Sequence, residues 1–225
     1  MTAARRDARQ TDTAERILHV ATELFFVTGY PGTSVRQIMR ACDVSAASMY
    51  NHFTSKEEVL YAILVRSLED SLSSLRVASA TADRDAEAQL RALVRAISTF
   101  HSERQLEGLV SQTEWRYLPP ARAADVLALQ REVRALFEEC LSRGVESGEF
   151  ALGAAGVDVE VAAKSILDLC INAGKWFRPH GRLGSADIAR QHVELVACLV
   201  GAGRAGGRRA GDASGSSAIG GEPVR

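Results

Sequence analysis

Aromatic residues are scarce in this 225-residue chain, at 6%, and there are only five prolines. Both shortages tell against a β-sandwich, and the abundance of Ala, Leu, Arg, Glu and Gln favours helices. Cysteine is sparse too: Cys42, Cys140, Cys170 and Cys198 lie far apart, with no CxxC pair and no compact disulfide framework. They sit at apolar helix positions, which fits a reduced, cytoplasmic protein. No apolar run approaches a bilayer span, and the polar, arginine-rich N-terminus has no apolar stretch behind it, so neither a membrane segment nor a signal peptide is expected. An excess of one charge is also missing. The formal net charge of −1 gives no global pull toward nucleic acid, so any such affinity has to come from a local patch. Residues 1–12, with Arg5, Arg6 and Arg9, are expected to be a disordered basic arm.

Signs of catalysis are equally thin. There is no GxSxG elbow, no GxxxxGK[ST] phosphate loop, and no paired acid and base. His101-Ser102-Glu103 with Glu107 lacks a second histidine at helical spacing, so it reads as a solvated helix end rather than a metal site. The chain is therefore not expected to be an enzyme, and no cofactor is expected.

What is present centres on residues 33–56, TSVRQIMRACDVSAASMYNHFTSK. Val35, Ile38 and Met39 recur at i, i+3, i+4, giving a short helix one apolar face. Thr33 or Ser34 suits its N-cap. Cys42-Asp43-Val44 makes a turn, and Ser45 can cap a second helix. On that helix Met49 and Phe53 face inward, while Ser48, Tyr50, Asn51 and His52 lie largely elsewhere. An apolar inner face backed by small and hydrogen-bonding residues is what a recognition helix in a major groove needs. Ser55 and Glu58 are expected to cap each other's backbone donors as the next helix starts at Lys56. Before this stretch, Ile17, Val20, Ala21, Leu24 and Phe25 mark an amphipathic helix running from Thr13 and ended by Gly29, with Phe25 and Phe26 expected in the core.

The rest is helical in pattern. A helix carrying Val59, Leu60, Ile63, Leu64, Leu68, Leu72 and Leu75 is expected to run into the mid-70s. A polar break over 78–85 precedes a helix marked by Leu90, Leu93, Val94, Ile97 and Phe100, then a short one with Leu106, Leu109 and Val110. Pro119-Pro120 opens a long helix that ends near Gly144. Residues 158–177 are apolar nearly all round, which predicts burial on more than one side. A last helix covers 186–200. The surplus apolar surface of these two terminal helices fits a four-helix dimer seam. Residues 204–225 are a Gly-, Ala-, Ser- and Arg-rich tail expected to be disordered. The fold class expected is all-α, divided into a three-helix DNA-binding head at 13–56 and a helical ligand-binding and dimerisation body at 57–203.

Two aromatic clusters stand out in the body, Trp115-Arg116-Tyr117 and Trp176-Phe177-Arg178. They read either as core packing with a capped helix end or as an apolar pocket edged by Arg116, Lys175 and Arg178. Asn172, on the most apolar helix, either satisfies a backbone carbonyl or reads a ligand. With Phe100, Gln112, Trp115 and Trp176, these residues form the candidate ligand-binding set.

The order Phe25, Gly29, Gly32-Thr33-Ser34-Val35, Ile38, Val44-Ser45, Met49-Tyr50-Asn51-His52-Phe53, Ser55-Lys56-Glu57 resembles the N-terminal domain of TetR-family bacterial repressors. That resemblance implies DNA contact by Thr33, Ser34, Arg36, Ser45, Ala46, Ala47, Ser48, Tyr50, Asn51, His52 and Lys56. Where the family often has Lys-Gly this chain has Ala46-Ala47, which can touch thymine methyls but donate no side-chain hydrogen bond. The stretch 112–150, with Lys175-Trp176-Phe177-Arg178-Pro179 and Gly181, is similar to TetR-type repressors of fatty-acid and steroid breakdown, which respond to CoA thioesters. The expectation is a homodimeric repressor on a palindromic double-stranded operator, released by a small-molecule effector such as an acyl-CoA. A drug-like or aromatic effector is one alternative, and a helical acyl-thioester carrier or enzyme is another.

Overall fold

The computed structural model describes residues 3–82 and 85–202, with 3–11 described by backbone alone, and every described element is helical. The tail expected over 204–225 lies outside the described residues. The first helix, α1 (Ala3–Gly32), begins well before Thr13. Residues 3–10 are dense in alanine and arginine, good helix formers, so the helix runs through the stretch expected to be disordered. Gly29 breaks it at φ 73° and ψ 160°, a conformation that suits only glycine, and Tyr30, Pro31 and Gly32 lead into the next element.

Three serine caps then set three helix starts. Ser34 Oγ accepts from the Gln37 amide while Gln37 Oε1 accepts from the Ser34 amide, opening α2 (Val35–Cys42) with a reciprocal box. Asp43, in the left-handed region at φ 52°, ends it. Ser45 Oγ accepts from the Ser48 amide and opens α3 (Ala46–Tyr50). Ser55 Oγ accepts from the Glu58 amide and opens α4 (Lys56–Thr81). The return bond differs from expectation: Glu58 reaches past Ser55 to the amide and hydroxyl of Thr54, both at 2.6 Å. Those two bonds from Thr54 hold Glu58 below the usual carboxylate range.

At 26 residues α4 is about 39 Å long, and it outruns the expected end in the mid-70s because alanines and Val77 carry the helix on to Thr81. It contributes to two cores. Val59, Leu60, Ile63 and Leu64 pack with Ile17, Phe25, Ile38, Met49 and Phe53. Leu72 and Leu75 join the second core, which draws on α5 (Ala86–Glu103), α7 (Pro120–Glu146), α8 (Val159–Ile171) and α10 (Ser185–Val200). Between these elements lie α6 (Gln105–Thr113), a 3₁₀ turn at Glu114–Tyr117, and the single-turn α9 (Ala173–Trp176). Pro120 sits in the first turn of α7, where a missing N–H costs nothing.

Two expectations about burial change. The stretch 158–177 breaks at Asn172, and α8 buries one face only: Ala162, Ala163, Ile166, Leu167 and Cys170. Its Val161 is 57% exposed, as are about half of Leu195 and Leu199 on α10. Phe25 is in the core, but Phe26, one helical step (about 100°) round, is largely exposed. Among the described residues no helix is long and apolar enough to cross a membrane.

The turn after α7 folds Phe150 back over Gly144, and a Cβ on Gly144 would come within 2.1 Å of that ring. Phe150 is buried in the second core and has nowhere to retreat. Gly144→Ala should therefore cost about 1–3 kcal/mol by overpacking, read as a lowered urea midpoint; an unchanged midpoint would show that the ring can move aside.

Candidate nucleic-acid interface and ligand cavity

The head presents α3 outward because Met49 anchors it from below, fully buried. On the other side Ala46, Ala47, Tyr50 and Asn51 are exposed, with Ser48 and His52 half-buried beside them. Ser34 and Arg36 from α2, and Ser45 at the cap of α3, are exposed as well. That surface combines a guanidinium, a phenol, an amide and hydroxyls, all able to donate to phosphate oxygens, with two alanine methyls suited to a thymine methyl.

Two expected DNA contacts face inward instead. Thr33 is 2% exposed; its hydroxyl bonds with Thr28 Oγ1 at 2.7 Å and donates to the Gly29 carbonyl at 2.9 Å. The ammonium of Lys56 donates to the carbonyls of Tyr30 and Thr33, each at 2.7 Å, and lies 4.1 Å from the centre of the Tyr30 ring. Burial lowers the Lys56 pKa, but its acceptors and the ring quadrupole favour the charged form. These contacts hold the start of α4 against the turn between α1 and α2.

The same turn is held from the body. Glu114 Oε2 accepts from the Tyr30 amide at 3.0 Å, and the ring of Tyr117 stacks on that of Tyr30 with centroids 5.5 Å apart. Trp115, between them, packs against the head core and also lines the largest cavity described, of about 840 Å³. One 3₁₀ turn thus touches both the cavity and the head.

The cavity lies among α4, α5, α6, α7 and α8. Its buried wall includes Ser67, Ser71, Ile97, His101, Ser111 and Val133, and its exposed side carries Arg131, Lys164 and Asp168. Half-buried Arg134 also lines it, 3.0 Å from Glu138 Oε1. Of the expected ligand-binding set, Phe100, Gln112 and Trp115 line the cavity, and five residues do not. Arg116 lies over the Trp115 ring and donates to the Thr113 carbonyl. Asn172 caps α8, its Nδ2 donating to the Asp168 carbonyl at 2.8 Å while its Oδ1 is shielded and bonds to no group of the protein. Lys175, Trp176 and Arg178 are exposed elsewhere, the Trp176 ring lying edge-on to His192. The second aromatic cluster is therefore split: Trp176 and Arg178 lie on the surface around α9, and Phe177 is buried in a small core with Ala173 and Ile188.

Sequence reasoning missed Arg131 and Arg134. Their spacing with Leu127 and Gln130 is i, i+3, i+4, i+7, one stripe of α7, but a stripe so polar reads as a solvated face.

The family models agree with this arrangement. Residues 17–63 match the bacterial regulatory proteins of the tetR family, and residues 83–200 match the tetracyclin repressor-like C-terminal domain. The chain belongs to the TetR family. It is similar to the HTH-type transcriptional repressor KstR2 of Rhodococcus jostii (strain RHA1), 31% identical over 189 residues, which cover 80% of this chain and 87% of that repressor. A solved tetR-family regulatory protein from Rhodococcus RHA1 superposes with a TM-score of 0.77 at 31% identity, covering 84% of this chain and 97% of that one. AibR, solved in complex with isovaleryl coenzyme A and operator DNA, gives a TM-score of 0.73 at 26% identity, covering 84% of this chain and 99% of that one. As a TetR-family member the chain is a transcriptional regulator of the repressor type and not an enzyme, with the all-α, head-and-body fold expected.

One residue of the cavity wall gives this TetR-family protein a pH dependence. Burial pushes the His101 pKa down from 6.5 to about 4, so the unfolded chain takes up a proton that the folded chain refuses. Stability from this residue is intact above pH 6.5 and falls between there and pH 4, by up to about 3 kcal/mol. The urea midpoint should drop more steeply over that range for the parent than for His101→Asn; parallel curves would mean that the imidazole protonates freely in the fold.

Proposed function

We propose that this TetR-family repressor binds a palindromic operator as a homodimer and is released by an acyl-CoA thioester. The observation that carries the reading is the cavity of about 840 Å³, with Arg131, Arg134 and Lys164 on one side and Trp115 linking it to the head. Arg131 and Lys164 at the exposed side and half-buried Arg134 suit the phosphates of a CoA, which would replace the Glu160 and Glu138 carboxylates paired with Lys164 and Arg134, and the largely apolar wall suits an acyl group. AibR, of similar fold, is solved with isovaleryl coenzyme A and operator DNA together, which supports the same class of effector here.

The exposed apolar residues Val161, Leu195 and Leu199 on α8 and α10 supply a surface for self-association. Two-fold symmetry then sets two copies of α3 about 34–36 Å apart, one turn of duplex. Effector filling the cavity rotates α4 and shifts the heads out of register; a coupling of about 1–3 kcal/mol changes occupancy roughly 5–150-fold, so the motion required is small.

A second reading keeps the DNA role and gives the cavity a flat aromatic or drug-like effector, favoured by the Phe100 and Trp115 rings in its lining. Footprinting of DNA upstream of the protein's own gene, followed by mobility shift with and without a long-chain acyl-CoA, separates the two. Release by the thioester is expected, whereas indifference to it favours the aromatic effector. Absence of any protected palindrome at physiological salt would end both.

Tyr50, exposed on α3, is assigned a phosphate contact. Tyr50→Phe should weaken binding to specific and random DNA alike, by about 2–10-fold, with the urea midpoint unchanged. Equal affinity for variant and parent would remove the phenol from the interface.

A further inference from the structure

Ser111 and Gln112 are consecutive on α6, and both line the cavity. Ser111 Oγ and Gln112 Nε2 are shielded from solvent and bond to no other group of the protein. Ser111 as a whole is only 6% exposed. A local remedy was at hand, since a helical hydroxyl can bond to the carbonyl four residues back. Neighbouring side chains take it: Thr113 donates to the Leu109 carbonyl at 3.1 Å, and Ser102 to that of Ser98 at 2.8 Å. Ser111 does not. Buried polar groups are almost always paired, so two unpaired ones from successive residues lining one cavity point to a ligand that completes them.

We propose that Ser111 and Gln112 read an uncharged oxygen, a carbonyl or a hydroxyl, on the part of the effector inside the cavity, and so make the protein prefer oxygenated acyl groups over plain hydrocarbon chains. The proposal rests on the acyl-thioester reading above and names which acyl groups are taken. An amide N–H and a hydroxyl can both donate to the two lone pairs of one oxygen. The wall around them favours a neutral group. Ser67, Ser71, Ile97 and Val133 carry no charge, and burial keeps the His101 imidazole neutral at physiological pH. Arg131 and Lys164 stand with Asp168 on the exposed side, where the two cations serve an anionic head rather than the buried body of the ligand, and the charge of half-buried Arg134 is met by Glu138 at 3.0 Å.

Calorimetric titration of the full-length protein with decanoyl-CoA and with the positional isomers of oxodecanoyl-CoA tests this, with the corresponding free acids as a second series. For the parent, at least one oxo isomer should bind about tenfold or more tightly than its unsubstituted counterpart. In Ser111→Ala/Gln112→Leu that preference should fall to within about twofold. Gln112→Met alone, expected to cut the preference to about threefold, serves if the double variant does not fold. No preference in the parent, or the same preference in the variant, overturns the proposal and leaves the two side chains to water. If the free oxo acids are preferred while neither thioester binds, the CoA reading fails and this one stands. If no member of either series binds, the cavity does not take oxygenated acyl ligands, and the proposal goes.

Discussion

An ammonium group taken partly out of water has to find acceptors, and Lys56 finds them on the backbone of the turn between α1 and α2. Because Lys56 is also the first residue of α4, that requirement fixes where the long helix begins. The Tyr30 ring beneath the ammonium and the Glu114 carboxylate on the Tyr30 amide add a second and a third hold on the same turn. The outward presentation of α3 depends on this joint, since α2 and α3 follow the turn and bury Ile38 and Met49 in the core that α1 and α4 share.

The body meets that joint through a single 3₁₀ turn. Glu114 and Tyr117 hold Tyr30 while Trp115, between them, lines the cavity. A displacement of the indole large enough to shift the backbone of this turn would carry Glu114 and Tyr117 with it. Further along, Arg122 of α7 pairs with Glu57 at 3.1 Å and lies over the Tyr61 ring, and Tyr61 bonds with Asp125 at 3.0 Å. Two elements that line the cavity are thus tied to the first turns of α4.

The parts of this structure written locally were the parts legible in the sequence. Ser34, Ser45 and Ser55 each cap a helix through an i to i+3 bond, and that spacing is visible without a fold. Burial of Met49 and Phe53 followed from helical periodicity. Lys56 and Thr33 bond inward, to Tyr30, Thr28 and Gly29 of the preceding turn, and only folding decides whether a polar side chain there looks out or in. Trp115 and Trp176 looked alike, each followed closely by arginine, yet one lines the cavity and the other lies on the surface. Residue type could not separate them, because the difference is which helices close over each. Ser111 gave no signal at all: a lone serine in a short helix is ordinary until its hydroxyl proves to be buried and unpaired.

Val110 of α6, Leu118 at the end of the 3₁₀ turn and Val126 of α7 reach into the core formed by α1 to α4. The head is therefore not a detachable cassette. Cut away after its third helix, it would also lose Val59, Leu60, Ile63 and Leu64 of α4, and Ile17, Phe25, Ile38 and Met49 would be left open to water. Grafting it onto a related body would require those three filling side chains to come with it, so exchange of operator preference between relatives is more readily made by altering the outer face of α3 than by swapping segments.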